Sequence, residues 1–323
     1  VHPRTFDPSL SQYWRPPVVA DWSGWDIVIA TGCPTVWYRR WTRSFYLHHG
    51  VGTGGGGGGR GSYAVRMCEG HGLDTILSTG PQAAAFEASV IRHRALQVSV
   101  VDVGFPKLDA LAQGAFDRTA TLRALGLDPG LPTVLICSHY TPQGLLPTFG
   151  ASLVDALGAA ENYNLIVGGH PQLLEEGSRD RMGSDWYSEL EGAVARTGSG
   201  RAFGEADVSP FLFAADLLVS DHSSVSLEYA VLGRPIIFFD HPEWEWSDQA
   251  LGENLRRAAT PVASIEEIVA VVAGFIGRPL PWTADTSGLV ASSHSFLGGA
   301  AERAADAILS PALGETTSRP SRG

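Results

Sequence analysis

The sequence predicts an α/β protein of two domains, each built on a parallel sheet, and three observations carry that expectation. Short apolar runs bounded by glycine or polar residues recur along the chain, with the length and residue types of buried strands. Helix-like or loop segments separate them, the pattern of parallel strands joined by crossovers. The chain has 323 residues, 44% of them apolar, enough for two cores of ordinary size.

Taken in order, Val1 to Pro17 is proline-rich and irregular. DIVIATG from Asp26 and SFYLHHG from Ser44 read as strands that end in glycine or polar residues, as strands feeding active-site loops do. Six consecutive glycines, Gly54 to Gly59, follow within Gly52 to Gly61. No Lys-Ser or Lys-Thr comes after them, so the tract is read as a flexible loop and not as a phosphate-binding P-loop. DTILSTG from Asp74 is a third strand, followed by a helix through Ala83 to Arg94. VSVVDVGFPKLD from Val98 is a fourth, turning at Gly104 to Pro106. The first domain, 1–115, is expected to be truncated, short of strands that would precede Val1.

A helical segment Leu111 to Leu125 and a turn at Asp128-Pro129-Gly130 lead into the second domain, 116–312. It opens with the strand TVLICSHY at Thr133, continues through a helix Leu153 to Glu161, and reaches NLIVGGHP at Asn164. A helix Asp185 to Ala195 precedes the stretch around which the chain is organised, ADLLVSDHSSVSLEYAVLGRPIIFFD from Ala215 to Asp240. That stretch is a strand, helix, strand unit, with Gly233 closing the helix and Pro235 blocking its continuation. Ser264-Ile265-Glu266-Glu267 is a capping box for the next helix, and a final helix runs from Gly299 to Leu309. The tail, 313–323, is expected to be disordered.

Composition excludes several classes of function. A net charge of −11 argues against a general nucleic-acid binder. The charge is uneven: residues 1 to 115 hold ten basic and eight acidic side chains, net +2, and the remainder is net −13. An anionic ligand would meet its arginines mainly in the first half, where Arg39, Arg40, Arg43, Arg60 and Arg66 surround His48 and His49. Cys33, Cys68 and Cys137 are odd in number and lack metal-ligand spacing, which fits a reducing cytosol. No apolar run approaches the roughly 20 residues of a membrane span, and the start shows no signal-peptide pattern. No paired Cys or His-x-x-x-His spacing falls in the strand-end loops, so no metal site is expected.

Chemistry is expected at the carboxyl ends of the strands, in a cleft between the domains. Ser223 and Ser224 stand at a helix start directly after a strand, where unpaired N–H groups and hydroxyls favour a phosphate. Glu228, about one turn further on, suits ribose hydroxyls. The alternative is that the serines only cap the helix and Glu228 is a solvated surface residue. His49 precedes Gly50 at a strand end and suits a general base; His170, before Pro171, suits a donor to a phosphate oxygen. The alternative for either is a hydrogen-bonded structural histidine. Asp109 is expected to cap the helix that follows it. His222 and His241 flank the organising unit.

The order HHG at His48 to Gly50, GFPKLD at Gly104 to Asp109, HP at His170-Pro171, SDHSSVSLEYAVLGRPIIFF from Ser220 and GGAAERAADAI from Gly298 resembles the CDP-glycerol glycerophosphotransferase family, synthases of teichoic acid and related polymers. The resemblance implies a GT-B fold: two Rossmann-like domains with parallel sheets facing across a cleft, the nucleotide held mainly by the C-terminal one. It puts the family's His-Gly base on His49, its His-Pro histidine on His170, the diphosphate-holding serines on Ser223 and Ser224, and the acidic residue on Glu228. Asp221 and His139, at neighbouring strand ends, join the expected nucleotide set. The implied reaction is attack of an acceptor hydroxyl on CDP-glycerol, with CMP leaving. CDP-glycerol would be a donor substrate, with no tightly bound cofactor. The acceptor would be a lipid-linked anionic polymer, reached from the cytoplasm by a protein in peripheral contact with the membrane. Two further readings stay open: a GT-B glycosyltransferase or epimerase that uses a UDP-sugar, and a non-catalytic relative that keeps the nucleotide pocket.

Overall fold

The computed structural model describes residues 26–31, 42–48, 50, 73–158, 162–170, 173, 185–198, 200–203, 207–246 and 248–310. The glycine tract, His49, Pro171, Cys33, Cys68, Arg39, Arg40, Arg60, Arg66 and the tail lie outside the described residues.

The first sheet lays β1 (Ile27–Ala30), β2 (Arg43–Leu47), β3 (Thr75–Ser78) and β4 (Ser99–Asp102) side by side in chain order, all parallel. Helix α1 (Pro81–His93) joins β3 to β4 and opens on a proline, which loses no hydrogen bond at that position. Side chains alternate between the two faces of the strands. Tyr46 and Ile76 pack with Ile91 of α1, whereas Phe45 and Leu77 pack with Val103 on the opposite side. Both faces are therefore covered, as a parallel sheet requires.

The second sheet holds β5 (Thr133–Ser138), β6 (Asn164–Gly169), β7 (Gly200–Ala202), β8 (Leu217–Ser220), β9 (Ile236–Phe239) and β10 (Thr260–Val262), in the order β10-β9-β8-β5-β6-β7 and all parallel. Leu135, Ile166, Leu218 and Phe238 face one core; Val134, Leu165, Val219 and Ile237 face the other. The chain enters at the centre on β5, walks out to β7, and returns to β8 on the other side of β5. This reversal opens a crevice between the carboxyl ends of β5 and β8, where open α/β sheets bind ligands.

Helices α2 (Arg118–Ala124), α3 (Ala151–Gly158), α4 (Trp186–Thr197), α5 (Val225–Ala230), α6 (Gln249–Ala258), α7 (Ile265–Phe275), α8 (Ser287–Ser293) and α9 (Ala300–Leu309) pack on the sheets together with short helices at Leu145–Phe149 and Ser209–Ala214. The expected capping box forms in part, its return bond going to the residue before the N-cap. Ser264 accepts from the Glu267 amide at 3.3 Å, and the Glu267 carboxylate reaches back to the Ala263 amide at 2.7 Å. The single helix expected over Leu111 to Leu125 does not. A 3-10 turn at Pro106–Leu108 and a four-residue helix, Asp109–Ala112, end before Gly114, whose φ of +66° leaves the helical region. Asp117 then caps a new start, α2, by accepting from Ala120. Among the described residues no helix is long and apolar enough to cross a membrane.

The two sheets are tied together by the end of the chain. Ala304, Ala307 and Ile308 of α9 pack against Phe45, Leu77 and Val103 of the first sheet. The sequence boundaries group this helix with the second domain. Asp109 does not cap its own helix: its two carboxylate oxygens accept from the Ala300 and Ala301 amides, each at 2.9 Å, and cap α9 from 191 positions away. Gln82 at the start of α1 donates to Asp248, which caps α6, at 2.7 Å. Gly80 abuts the end of α8, where a Cβ would stand 2.0 Å from the Ser293 carbonyl oxygen.

Candidate functional site

The crevice is built around Asp221, at the end of β8. Its side chain is 0% exposed. The carboxylate accepts from Ser138 Oγ at 2.9 Å, from the His139 amide at 3.0 Å, from the Leu145 amide at 2.6 Å and from the Ser223 amide at 2.9 Å. Burial pushes this carboxyl up from its ordinary range, and the hydrogen bonds, led by that from Leu145, pull it back. Asp221, expected in the nucleotide set, thus has its oxygens engaged by the chain itself. It clamps the loop after β5 to the loop after β8.

Around this clamp the strand ends gather histidines. His139 lies beside His170 and His222, with ring centroids 5.8 and 4.8 Å away, and Tyr140 packs on His170 at 4.7 Å. The Thr141 amide donates to His139 Nδ1 at 3.2 Å, so the His139 proton resides on Nε2. The Thr141 hydroxyl also lies 3.0 Å from His222 Nε2. Trp244 stacks on His222 with centroids 3.4 Å apart and planes at 13°. Burial holds the His139 imidazole down to about 4, helped by the neighbouring His222, and holds His222 down to about 3, helped by His241. Both rings are neutral at pH 7 and serve as hydrogen-bonding, stacking groups.

These shifts make stability depend on pH. As pH falls through 6.5 the unfolded imidazoles take up protons, while the native rings resist until about 4 and 3. The unfolded state then binds more protons, so stability is complete above pH 6.5 and is lost below it, by about 2 kcal/mol per ring at pH 5. Asp221 opposes this in part, because its raised carboxyl takes up a proton in the native state. A His222→Asn protein is expected to lose about 2 kcal/mol less than the wild type between pH 7 and pH 5 in urea unfolding. An unchanged difference would show that His222 is not held neutral.

The organising helix α5 begins differently from the expectation. Ser224 occupies the N-cap position, but its backbone is already helical and its side chain makes no capping bond. Its Oγ instead donates to Glu228 Oε1 at 3.3 Å. Glu228 is 1% exposed and its other oxygen receives Lys107 Nζ at 2.8 Å. The solvated-face reading of Glu228 is overturned by this burial, and each of its oxygens already accepts one hydrogen bond. Gly50 comes to the same place from the first sheet: a Cβ there would stand 3.2 Å from Ser224 Oγ. The structure thereby brings the end of β2 against the start of α5.

His49 lies outside the described residues, between His48 and Gly50. His48 is buried, with Nε2 2.6 Å from Oε1 of the fully buried Glu87 of α1, and its ring meets Tyr46 edge-on. Sequence reasoning does not single out Glu87, Thr141 or Trp244, and it reads the lone Lys107 as composition bias without functional content. Only Lys107 carried a signal, as the one lysine in the chain. Cys137 is a buried free thiol, pushed up by burial, and contributes packing.

A doubly wound sheet with polar side chains at its reversal point, approached by the strand ends of a second parallel sheet, defines an α/β protein of the GT-B type. The model of the CDP-glycerol:poly(glycerophosphate) glycerophosphotransferase family matches residues 83–252, more than half of the chain, and the chain belongs to that family. The matched span holds Glu87, Lys107, His139, His170 and Ser223 to Glu228.

Solved structures agree on the fold. A histidine variant of the wall teichoic acid polymerase TagF soaked with CDPG gives a TM-score of 0.56 at 13% identity, over 88% of this chain and 72% of the polymerase chain. Another histidine variant of TagF gives 0.54 over the same shares. A protein described as a UDP-N-acetylglucosamine 2-epimerase from Listeria monocytogenes gives 0.55 at 15% identity, over 91% of this chain and 76% of its own. At such identities the likeness is one of fold, and it is the GT-B-like α/β fold expected from the sequence. No curated protein sequence matches the chain.

Proposed function

We propose that the protein transfers glycerol phosphate from CDP-glycerol to a hydroxyl of a glycerol-phosphate or glycan acceptor, releasing CMP. Beyond family membership, the observation that carries this reading is the meeting of Gly50 with Ser224. It brings the His-Gly segment of one sheet to the Ser-Ser segment of the other, as a transfer between two bound substrates requires. His49 takes the proton of the attacking hydroxyl as its oxygen bonds to the glycerol-linked phosphorus, and CMP departs with the electrons of the broken P–O bond. Ser223 and Ser224 donate to the diphosphate, Ser224 by turning its one hydroxyl proton from Glu228 to a phosphate oxygen, joined by His170 and by His139 through its Nε2–H. Positioning and charge stabilisation account for the rate, since phosphoryl transfer asks for little covalent chemistry. The acceptor in this reading is lipid-linked, and the protein works at the cytoplasmic membrane face. Residues 1–115 handle the acceptor and 116–312 the nucleotide, with α9 closing over the first sheet.

The test is CMP release from CDP-glycerol, with and without a glycerol-phosphate acceptor. Ser224→Ala is expected to lower acceptor-dependent release about tenfold or more, the worth of one charge-assisted hydrogen bond. His49→Ala is expected to do at least the same, both proteins remaining folded by circular dichroism. Stabilisation by a UDP-sugar without CMP release would favour a sugar-nucleotide enzyme. Stabilisation by CDP with no turnover would favour a non-catalytic relative.

A further inference from the structure

Glu228 is a buried carboxylate, and a buried charge persists only where it is matched. Its match is Lys107, the only lysine of the chain, 2.8 Å away on Oε2. Ser224 occupies the opposite oxygen. Lys107 arrives from the turn after β4 and Glu228 from α5, so the pair joins a strand end of the first sheet to the crevice of the second. The lysine side chain remains 31% exposed, and its ammonium has two further N–H donors beyond the one given to Glu228.

Three of the groups proposed above for the diphosphate carry no fixed positive charge. Ser223 and Ser224 are neutral hydroxyls, and His139 is a neutral ring. Two carboxylates, Asp221 and Glu228, lie within the same cluster. A diphosphate entering this crevice gains from a cation already held beside Ser224, whose ammonium keeps N–H donors beyond the one given to Glu228. Lysine suits that task as a point charge with rotatable donors.

We propose that Lys107 is the cation of the diphosphate site, held in place by Glu228, which positions the ammonium beside Ser224 and does not serve the ribose. This assignment rests on the CDP-glycerol reading. Charge that accumulates on the departing CMP falls to the same ammonium, so one side chain contributes to donor binding and to the transfer step.

A single Lys107→Met substitution would strand the buried Glu228 carboxylate, so the informative protein is Lys107→Met/Glu228→Gln, which removes both charges. CDP binding is measured by calorimetry at low and high salt for this variant and the wild type, with urea unfolding as the control for folding. The expected result is at least tenfold weaker CDP binding by the variant, with a shallower salt dependence than that of the wild type. CDP binding of equal strength in the two proteins overturns the assignment. So does weaker binding with an unchanged salt dependence, which marks a merely structural pair. A wild type that binds no CDP overturns the donor reading and the lysine assignment with it.

Discussion

An Asp221→Ala protein is expected to unfold at a free energy roughly 3–5 kcal/mol below that of the wild type. One carboxylate satisfies the amides of His139, Leu145 and Ser223 and the hydroxyl of Ser138, and the Ser138 hydroxyl has a further acceptor in the His139 carbonyl. Each buried donor left without a partner costs about 1–3 kcal/mol, and partial relaxation recovers some of that. Asparagine does not rescue the site well, because its amide would turn N–H groups toward other N–H groups. The loss should appear as a lower midpoint at unchanged slope in urea. It should also remove thermal stabilisation by CDP, since the loops that carry His139 and Ser223 are no longer held together. A loss under about 1 kcal/mol would show that the loops are fixed by something other than this carboxylate.

Gly80→Ala is expected to destabilise by roughly 2–3 kcal/mol. Its φ of 178° is ordinary extended backbone, so the demand for glycine here is one of space. An added methyl would meet the carbonyl oxygen and carbon of Ser293 at 2.0 and 2.6 Å and the His294 amide at 3.0 Å. All three are backbone atoms, so relief requires α1 and α8 to separate. His294 is coupled to α5 through the Leu227 carbonyl, 3.0 Å from its Nε2, and a displaced α8 would therefore disturb the helix that carries Ser224 and Glu228. Gly288, in the first turn of the same α8, is the control. Nothing lies within 4 Å of a Cβ there, and Gly288→Ala should be neutral or stabilise by up to about 1 kcal/mol. Thermal melts of the two proteins should move in opposite directions or differ by well over 1 kcal/mol; equal behaviour would refute the close approach.

What could be read from sequence divides along a physical line. β8 and β9 are buried on both faces and so appear as unbroken apolar text, LLV and IIFF, which local pattern reveals. β7 and β10 are three-residue edge strands reading GRA and TPV, and no window of sequence separates such segments from loops. At the site, the strand ends that carry His139, His170 and Ser223 were legible because a parallel sheet delivers its carboxyl ends to one side. Partners were not. Ser224 has the sequence position of a cap and bonds elsewhere, because the carboxylate it meets is fixed by a lysine 121 positions distant. Asp109 was assigned to its own helix for the same reason, local proximity, although its donors lie at the far end of the chain. The neutral state of His139 depends on burial and on the neighbouring His222, which spacing alone does not encode.

The packing of α9 bears on the order in which the protein can be made. Phe45, Leu77 and Val103 are synthesised early, yet the helix that shields them carries Arg303, which donates to the Val103 carbonyl at 3.0 Å across 200 positions of chain. At translation rates of roughly 5–20 residues per second, the ribosome leaves that apolar face uncovered for about 10–40 s. The second sheet, whose strands lie within Thr133 to Val262 and whose core residues run from Phe105 to Leu289, can close first. On a nascent chain the later-made half would then finish before the earlier one, and a chaperone that guards the first sheet would have to remain until α9 emerges.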